Sequence, residues 1–293
     1  MPGVTRRNLL AVGGALTVSL RRPVAAAEPG VAAPANLLSA PLSLGGEWSQ
    51  AAPPEALPLL LRMREACLSG VRLLSDQQPR NLRVDEHSTG PPAVWLHTDH
   101  ADTGIVNVDI PTDDWPRLAY QFGHELGHVL CNSWLWGDKP QLPCQWLEES
   151  MVEGLSLRSL LLLADSCEKT PLVPGDTAFP GVIRKYRSFL LGRYIEAGGP
   201  QPGAPITGWF RATRAALEKN NGLAKFEGPE IVAIVALLEH DRSYIEDYGA
   251  LNRWPGRSAV PLEEYLRLWQ ASCAEIRAPG RLPARLKEML GLG

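Results

Sequence analysis

The sequence predicts an α+β fold, a small N-terminal sheet followed by a mostly helical remainder. Three observations predict it. Residues 105–110 (IVNVDI) set Val106, Val108 and Ile110 against Asn107 and Asp109, the period-two pattern of a half-buried strand. From Asp114 the apolar residues switch to helical spacing. Beyond residue 145 almost every segment keeps that spacing, so strands belong to the first half only.

The elements follow in chain order. Paired Arg6 and Arg7, an apolar run from Leu9 to Leu20 and the small residues Ala25-Ala26-Ala27 have the order of an export signal. Thr5-Arg6-Arg7-Asn8-Leu9-Leu10 resembles a twin-arginine signal, which implies passage through the twin-arginine export machinery to a periplasmic or extracellular location. The apolar run is shorter than the ~20 residues that span a bilayer, so no stable membrane anchor is expected after signal cleavage at 1–27. Residues 28–53, rich in Pro, Ala and Gly, read as a linker, and 54–293 as the folded domain, with its sheet-containing part running to about 137.

Within that domain, 55–76 has helical spacing, and extended segments are expected near 82–84, 93–97 and 105–110. A helix begins at the Asp114 cap with Pro116 in its first turn and is expected to stop at Gly137. A Pro-punctuated loop leads to a second helix from Gln145, and helices are expected near 180–197, 205–221, 228–241, 242–249 and 261–276.

Charge and cysteine usage narrow the function. Loss of Arg6, Arg7, Arg21 and Arg22 leaves 25 basic against 32 acidic residues, a net charge of −7, which does not invite nucleic acid. The five cysteines, Cys67, Cys131, Cys144, Cys167 and Cys273, lack the CxxC spacing of a structural zinc site and read as buried thiols, although Cys131 and Cys144 are close enough in sequence to close a short loop. His87, His97 and His100 flank polar turns and read as surface residues.

The chemistry is concentrated in "YQFGHELGHVLCNSW", residues 120–134. His124 and His128 lie at i and i+4, on one helical face, where two imidazoles reach one ion. Glu125 is turned by about 100° and faces a water held on that ion rather than the ion itself. Two histidines on an apolar helix are equally a hydrogen-bonded core pair, so the third ligand matters. Gly123 and Gly127, each costing about 0.8–1 kcal/mol in a helix, indicate close packing there. "WLEESMVEG" (146–154) supplies Glu149 and Glu153 on one helical face, with Glu148 rotated away. Glu149 as third ligand and Glu153 as acceptor for an imidazole N–H complete a His2Glu site.

His124-Glu125-Leu126-Gly127-His128, followed by Trp146-Leu147-Glu148-Glu149-Ser150, resembles the gluzincin metallopeptidases, over roughly residues 104–160. Ser150 stands where Gly is frequent, and Glu148 where Asn or another residue is usual; neither removes a ligand. The resemblance implies a zincin-like fold, with the sheet packed on the active-site helix. It implies Zn2+ on His124, His128 and Glu149, Glu125 as general base toward a metal-bound water, Glu153 as supporting acid, and a peptide or protein substrate. It also implies an edge strand that pairs with extended substrate, here placed at 105–110 with Asn107 or its neighbours lining the cleft, where an ordinary sheet strand is the alternative, and an oxyanion donor from a later helix. For that donor, "LLEHDRSYIEDYGALNRW" (237–254) offers His240, Tyr244 and Tyr248 at helical spacing. No segment resembling the amine anchor of an aminopeptidase precedes the helix. Two other functions fit the same residues: a zinc-holding module of the cell envelope without turnover, and an intracellular HExxH regulatory peptidase.

Overall fold

The computed structural model describes residues 36–293 except 88–89, 97–98, 112–113, 136–139, 197–205 and 221–227. The expected export segment 1–27, the first part of the linker, His97 and Gly137 lie outside the described residues.

The fold is α+β. Strands β1 (Leu42–Gly46), β2 (Asn81–Glu86), β3 (Ala93–Trp95) and β4 (Thr103–Val108) form one sheet in the order β1-β2-β4-β3. β1, β2 and β4 run parallel, and β3 is antiparallel to β4. Helix α1 (Trp48–Ala51) and α2 (Ala56–Leu68) connect β1 to β2. Then follow α3 (Trp115–Leu130), α4 (Gln145–Lys169), α5 (Phe179–Glu196), α6 (Thr207–Leu217), α7 (Pro229–His240), a 3-10 segment at Arg242–Ala250, α8 (Leu262–Glu275) and α9 (Arg281–Leu290). Leu82, Val84, Val106 and Val108 point from the sheet into a core shared with α2, α3 and α4.

Several expectations are corrected. Residues 42–46 are a strand, not linker: β1 pairs with β2 from Leu42↔Leu82 to Gly46↔Glu86, and Leu37 just before it is fully buried. The Gly and Pro content concealed it, yet Gly45 serves the pairing, because a Cβ there would lie 2.1 Å from Asp85 Oδ1. Helix α2 ends at Leu68 rather than 76, where Gly70 takes φ +74°.

Strand β4 lies inside the sheet, so it is not an edge open to substrate; β3 is the edge on that side. Helix α3 ends at Leu130 because Asn132 adopts φ 64°, with Asn132 N–H donating to Val129 O and Ser133 N–H to His128 O. The Asn132 amide donates onward to Gly249 O and Leu251 O, which ties this turn to the 3-10 segment. The helix α9 has no counterpart in the expected elements. All five cysteines are free and buried.

Candidate metal centre

Helix α3 starts at Asp114, whose side chain accepts from Arg117 N–H, and carries its apolar face against α4. The two glycines explain how closely. A Cβ on Gly127 would stand 2.8 Å from Val152 Cβ, and one on Gly123 would stand 3.0 Å from Ser156 Oγ, both on α4, and would also meet Met63 of α2. The Ser156 hydroxyl on α4 donates to Tyr120 O at 2.7 Å, fastening the helices one turn before His124. Glycine in α3 therefore trades helix propensity for the approach that sets Glu149 opposite the histidines.

His124 Nε2 and His128 Nε2 each lie 3.3 Å from Glu149 Oε2. The imidazole centroids are 5.1 Å apart. Among the described residues these three form a group able to hold a metal, with their ligand atoms within 4.8 Å of one another.

The other ring nitrogens are held from both sides. His124 Nδ1 lies 3.0 Å from Glu153 Oε2, and that fully buried carboxylate also accepts from the Tyr120 and Tyr194 hydroxyls, each at 2.9 Å. His128 Nδ1 lies 2.8 Å from Glu148 Oε1, which also accepts from Ser133 Oγ. Glu148 Oε2 accepts from Asn252 Nδ2 at 2.7 Å, and Arg257 Nη2 stands 3.7 Å away. Thus three acidic residues of α4 divide the work: Glu148 holds His128, Glu153 holds His124, and Glu149 faces the gap between them.

A divalent cation fits this arrangement. With both Nδ1 atoms donating, each Nε2 presents a lone pair toward an anionic oxygen, a repulsive grouping unless a cation lies among them. Ligand atoms about 2.0–2.1 Å from a tetrahedral metal are about 3.3–3.4 Å from one another, the spacing of each histidine Nε2 from Glu149 Oε2 here. Without a metal the alternative is protonation. Burial alone would depress both histidines, but Glu149 and Glu153 raise His124 to about 10, and Glu149 and Glu148 carry His128 well upward. Burial favours a neutral Glu149, and the two histidines overcome it and hold that carboxyl below its usual range. In either case the site demands positive charge.

Glu125 is buried and joins His124, His128 and Glu149 in the wall of a cavity of about 240 Å³. Burial raises its pKa; the histidines and a hydrogen bond to the Val94 backbone oppose that shift. The opposite wall is the edge strand β3 with its flanks, Pro92, Ala93, Val94 and Leu96. The cleft thus borders β3, not the strand holding Asn107.

His240 and Tyr244 are not brought to this cavity. Asp241 is extended, at φ −141° and ψ 102°, so α7 stops at His240, and the next turn is 3-10 rather than a continuation. The helical spacing that aligned His240, Tyr244 and Tyr248 is therefore broken. His240 lines a separate cavity of about 770 Å³ with Arg62, Arg158 and Lys169. The Tyr244 ring lies under the Arg281 guanidinium, 5.8 Å away. Tyr248 is fully buried, its hydroxyl donating to Met151 O at 3.0 Å.

Sequence reasoning missed Glu148, Ser133, Tyr120, Tyr194, Asn252 and Arg257. Tyr120 was findable, since 120, 124 and 128 share one helical face. Glu148 sits beside Glu149 on α4, where the helical period rotates it away from that face, while Ser133, Tyr194, Asn252 and Arg257 come from separate segments and leave no local signal. Comparisons with protein-family models, curated proteins and solved structures find no match to this chain.

Proposed function

We propose that the protein is a zinc-dependent peptidase of gluzincin type, with His124, His128 and Glu149 as ligands and Glu125 as the general base. The observation that supports this most is the two-sided clamp: both Nδ1 atoms are engaged by carboxylates, so both Nε2 atoms converge on Glu149. A zinc ion held there supplies Lewis acidity and lowers the pKa of a bound water to ~7. Glu125, on the wall of the same cavity, takes the proton from the attacking water and delivers it to the departing amine. Glu153 and Glu148 are positioning residues that fix the imidazole planes. Strand β3, the outer strand of the sheet among the described residues, borders the cavity and supports binding of an extended peptide alongside it. Export through the twin-arginine route belongs to the same reading and rests on residues 5–27 alone.

One observation favours the zinc-holding module without turnover: among the described residues lining the cavity there is no tyrosine, arginine or third histidine to donate to an oxyanion. The test separates the two readings. Elemental analysis of the purified chain should give one zinc, lost in Glu149→Ala. A peptide library should be cut by the wild type, and about 10²–10⁴-fold more slowly by Glu125→Gln with zinc retained. Zinc without cleavage selects the module, and a folded protein that takes up no zinc removes both readings.

A further inference from the structure

The face of the sheet turned away from the helices carries a second site. The strand register sets two rows of side chains across it. One row is Gly45–Asp85–Asn107–Ala93, and the next is Ser43–Arg83–Ile105–Trp95. In the first row Gly45 and Ala93 are small, so the two polar side chains between them form the floor of a trough. Asp85, Asn107, Arg83 and Trp95 all line a cavity of about 580 Å³, within the range of about 300–1,000 Å³ typical of small-ligand sites.

Three features define what that trough recognises. Asn107 is only 9 % exposed, and its side-chain amide, which has no hydrogen-bond partner among the described residues, lines this cavity, so its donors and acceptor are available to a ligand. Asp85 is gripped by Arg83 through Nε at 2.8 Å and Nη2 at 2.9 Å, so the floor carries no net charge while keeping acceptor and donor capacity. Trp95 is 56 % exposed beside them and offers an aromatic face.

A charged ligand gains nothing from a neutralised floor, and a purely apolar one leaves Asn107 unpaired. A pyranose meets every requirement: its C–H face stacks on an indole, and each rim hydroxyl both donates and accepts. We infer that this trough is a saccharide-binding site, with Trp95 as its platform and Asp85 and Asn107 reading the hydroxyls. Ala93 lines both this trough and the metal cavity, so the two adjoin across β3. Resting on the peptidase reading, this makes a glycan-bearing peptide the substrate class.

Saturation-transfer NMR on the full chain, with methyl β-N-acetylglucosaminide and methyl β-glucoside as probes at millimolar concentration, tests the site. Transfer to the axial ring protons of at least one glycoside is expected. It should vanish in Trp95→Ala, whose exposed ring leaves the core intact, and affinity should weaken about tenfold in Asn107→Ala. Retention of binding after zinc chelation and in His128→Ala supports the site and is independent of any peptidase activity. No transfer from either glycoside, equal transfer in Trp95→Ala, or loss on chelation overturns the proposal.

Discussion

Replacing Glu148 by Gln should weaken zinc binding by about 10–100-fold, a loss of about 1.4–2.7 kcal/mol. The variant keeps the shape of the side chain but not its acceptors. Glu148 Oε1 serves His128 Nδ1 and Ser133, while Oε2 serves Asn252 Nδ2. If the new carbonyl stays with His128, the new amide faces Asn252 Nδ2, donor against donor. Asn252 cannot relieve this by flipping, because its Nδ2 also donates to Cys131 O at 3.0 Å, and the flip would set two oxygens together. If instead the amide turns to His128, the Nδ1 proton loses its acceptor and the imidazole loses its orientation. Glu148→Ala should be worse, leaving His128 Nδ1 and the Ser133 hydroxyl without their shared buried acceptor at about 1–3 kcal/mol for each unsatisfied group. The assay is competition for zinc against a chromogenic chelator, with circular dichroism to verify the fold. Zinc affinity in Glu148→Gln equal to that of the wild type, in a natively folded sample, would refute the clamp.

Three further outcomes are expected. Burial raises Glu230 from 4.5 to about 7, with the Gly228 backbone and Ser150 opposing only in part. The folded state thus holds a proton that the unfolded chain has released; its stabilising contribution is complete below about pH 4.5 and about 3 kcal/mol is lost as pH rises through 7. Glu230→Gln should remove that decline, seen as urea midpoints that converge with wild type in acid and exceed it in alkali; parallel curves would count against it. Gly127→Ala should destabilise by about 1–3 kcal/mol despite Ala's higher helix propensity, because the new methyl meets Val152, while Gly192→Ala on α5, with nothing within 4 Å, should stabilise by about 0.5–1 kcal/mol. Urea unfolding compares the pair, and stabilisation of both would show that α3 and α4 have room to spare. Tyr244→Phe and His240→Ala should leave peptide turnover unchanged, since neither side chain lines the metal cavity, and a loss in steady-state assays would place them in the mechanism after all.

Local patterns in the sequence determined much of this protein. Period-two alternation placed β4, although the strand runs from Thr103 to Val108 and is buried on both faces rather than one. Helical spacing placed α3 and α4, and the i, i+4 rule put His124 and His128 on one face, with Glu149 and Glu153 sharing another. The paired glycines indicated tight packing, and Met63, Val152 and Ser156 are what pack there. Those features are legible because they depend on neighbours within one or two turns. Only the tertiary structure decided the rest. β1 became a strand because β2 was beside it to accept its hydrogen bonds. β4 became an interior strand because β3 folded back over its free side. Glu148 looked misplaced by its rotation away from Glu149, yet the same rotation carries it to His128, since two histidines on one face need acceptors on opposite sides. Asn252 and Arg257 reach Glu148 from more than 100 residues downstream. His240 and Tyr244 were aligned only on a helix that Asp241 interrupts. Contacts between distant segments depend on how the chain closes on itself, and no local period records that.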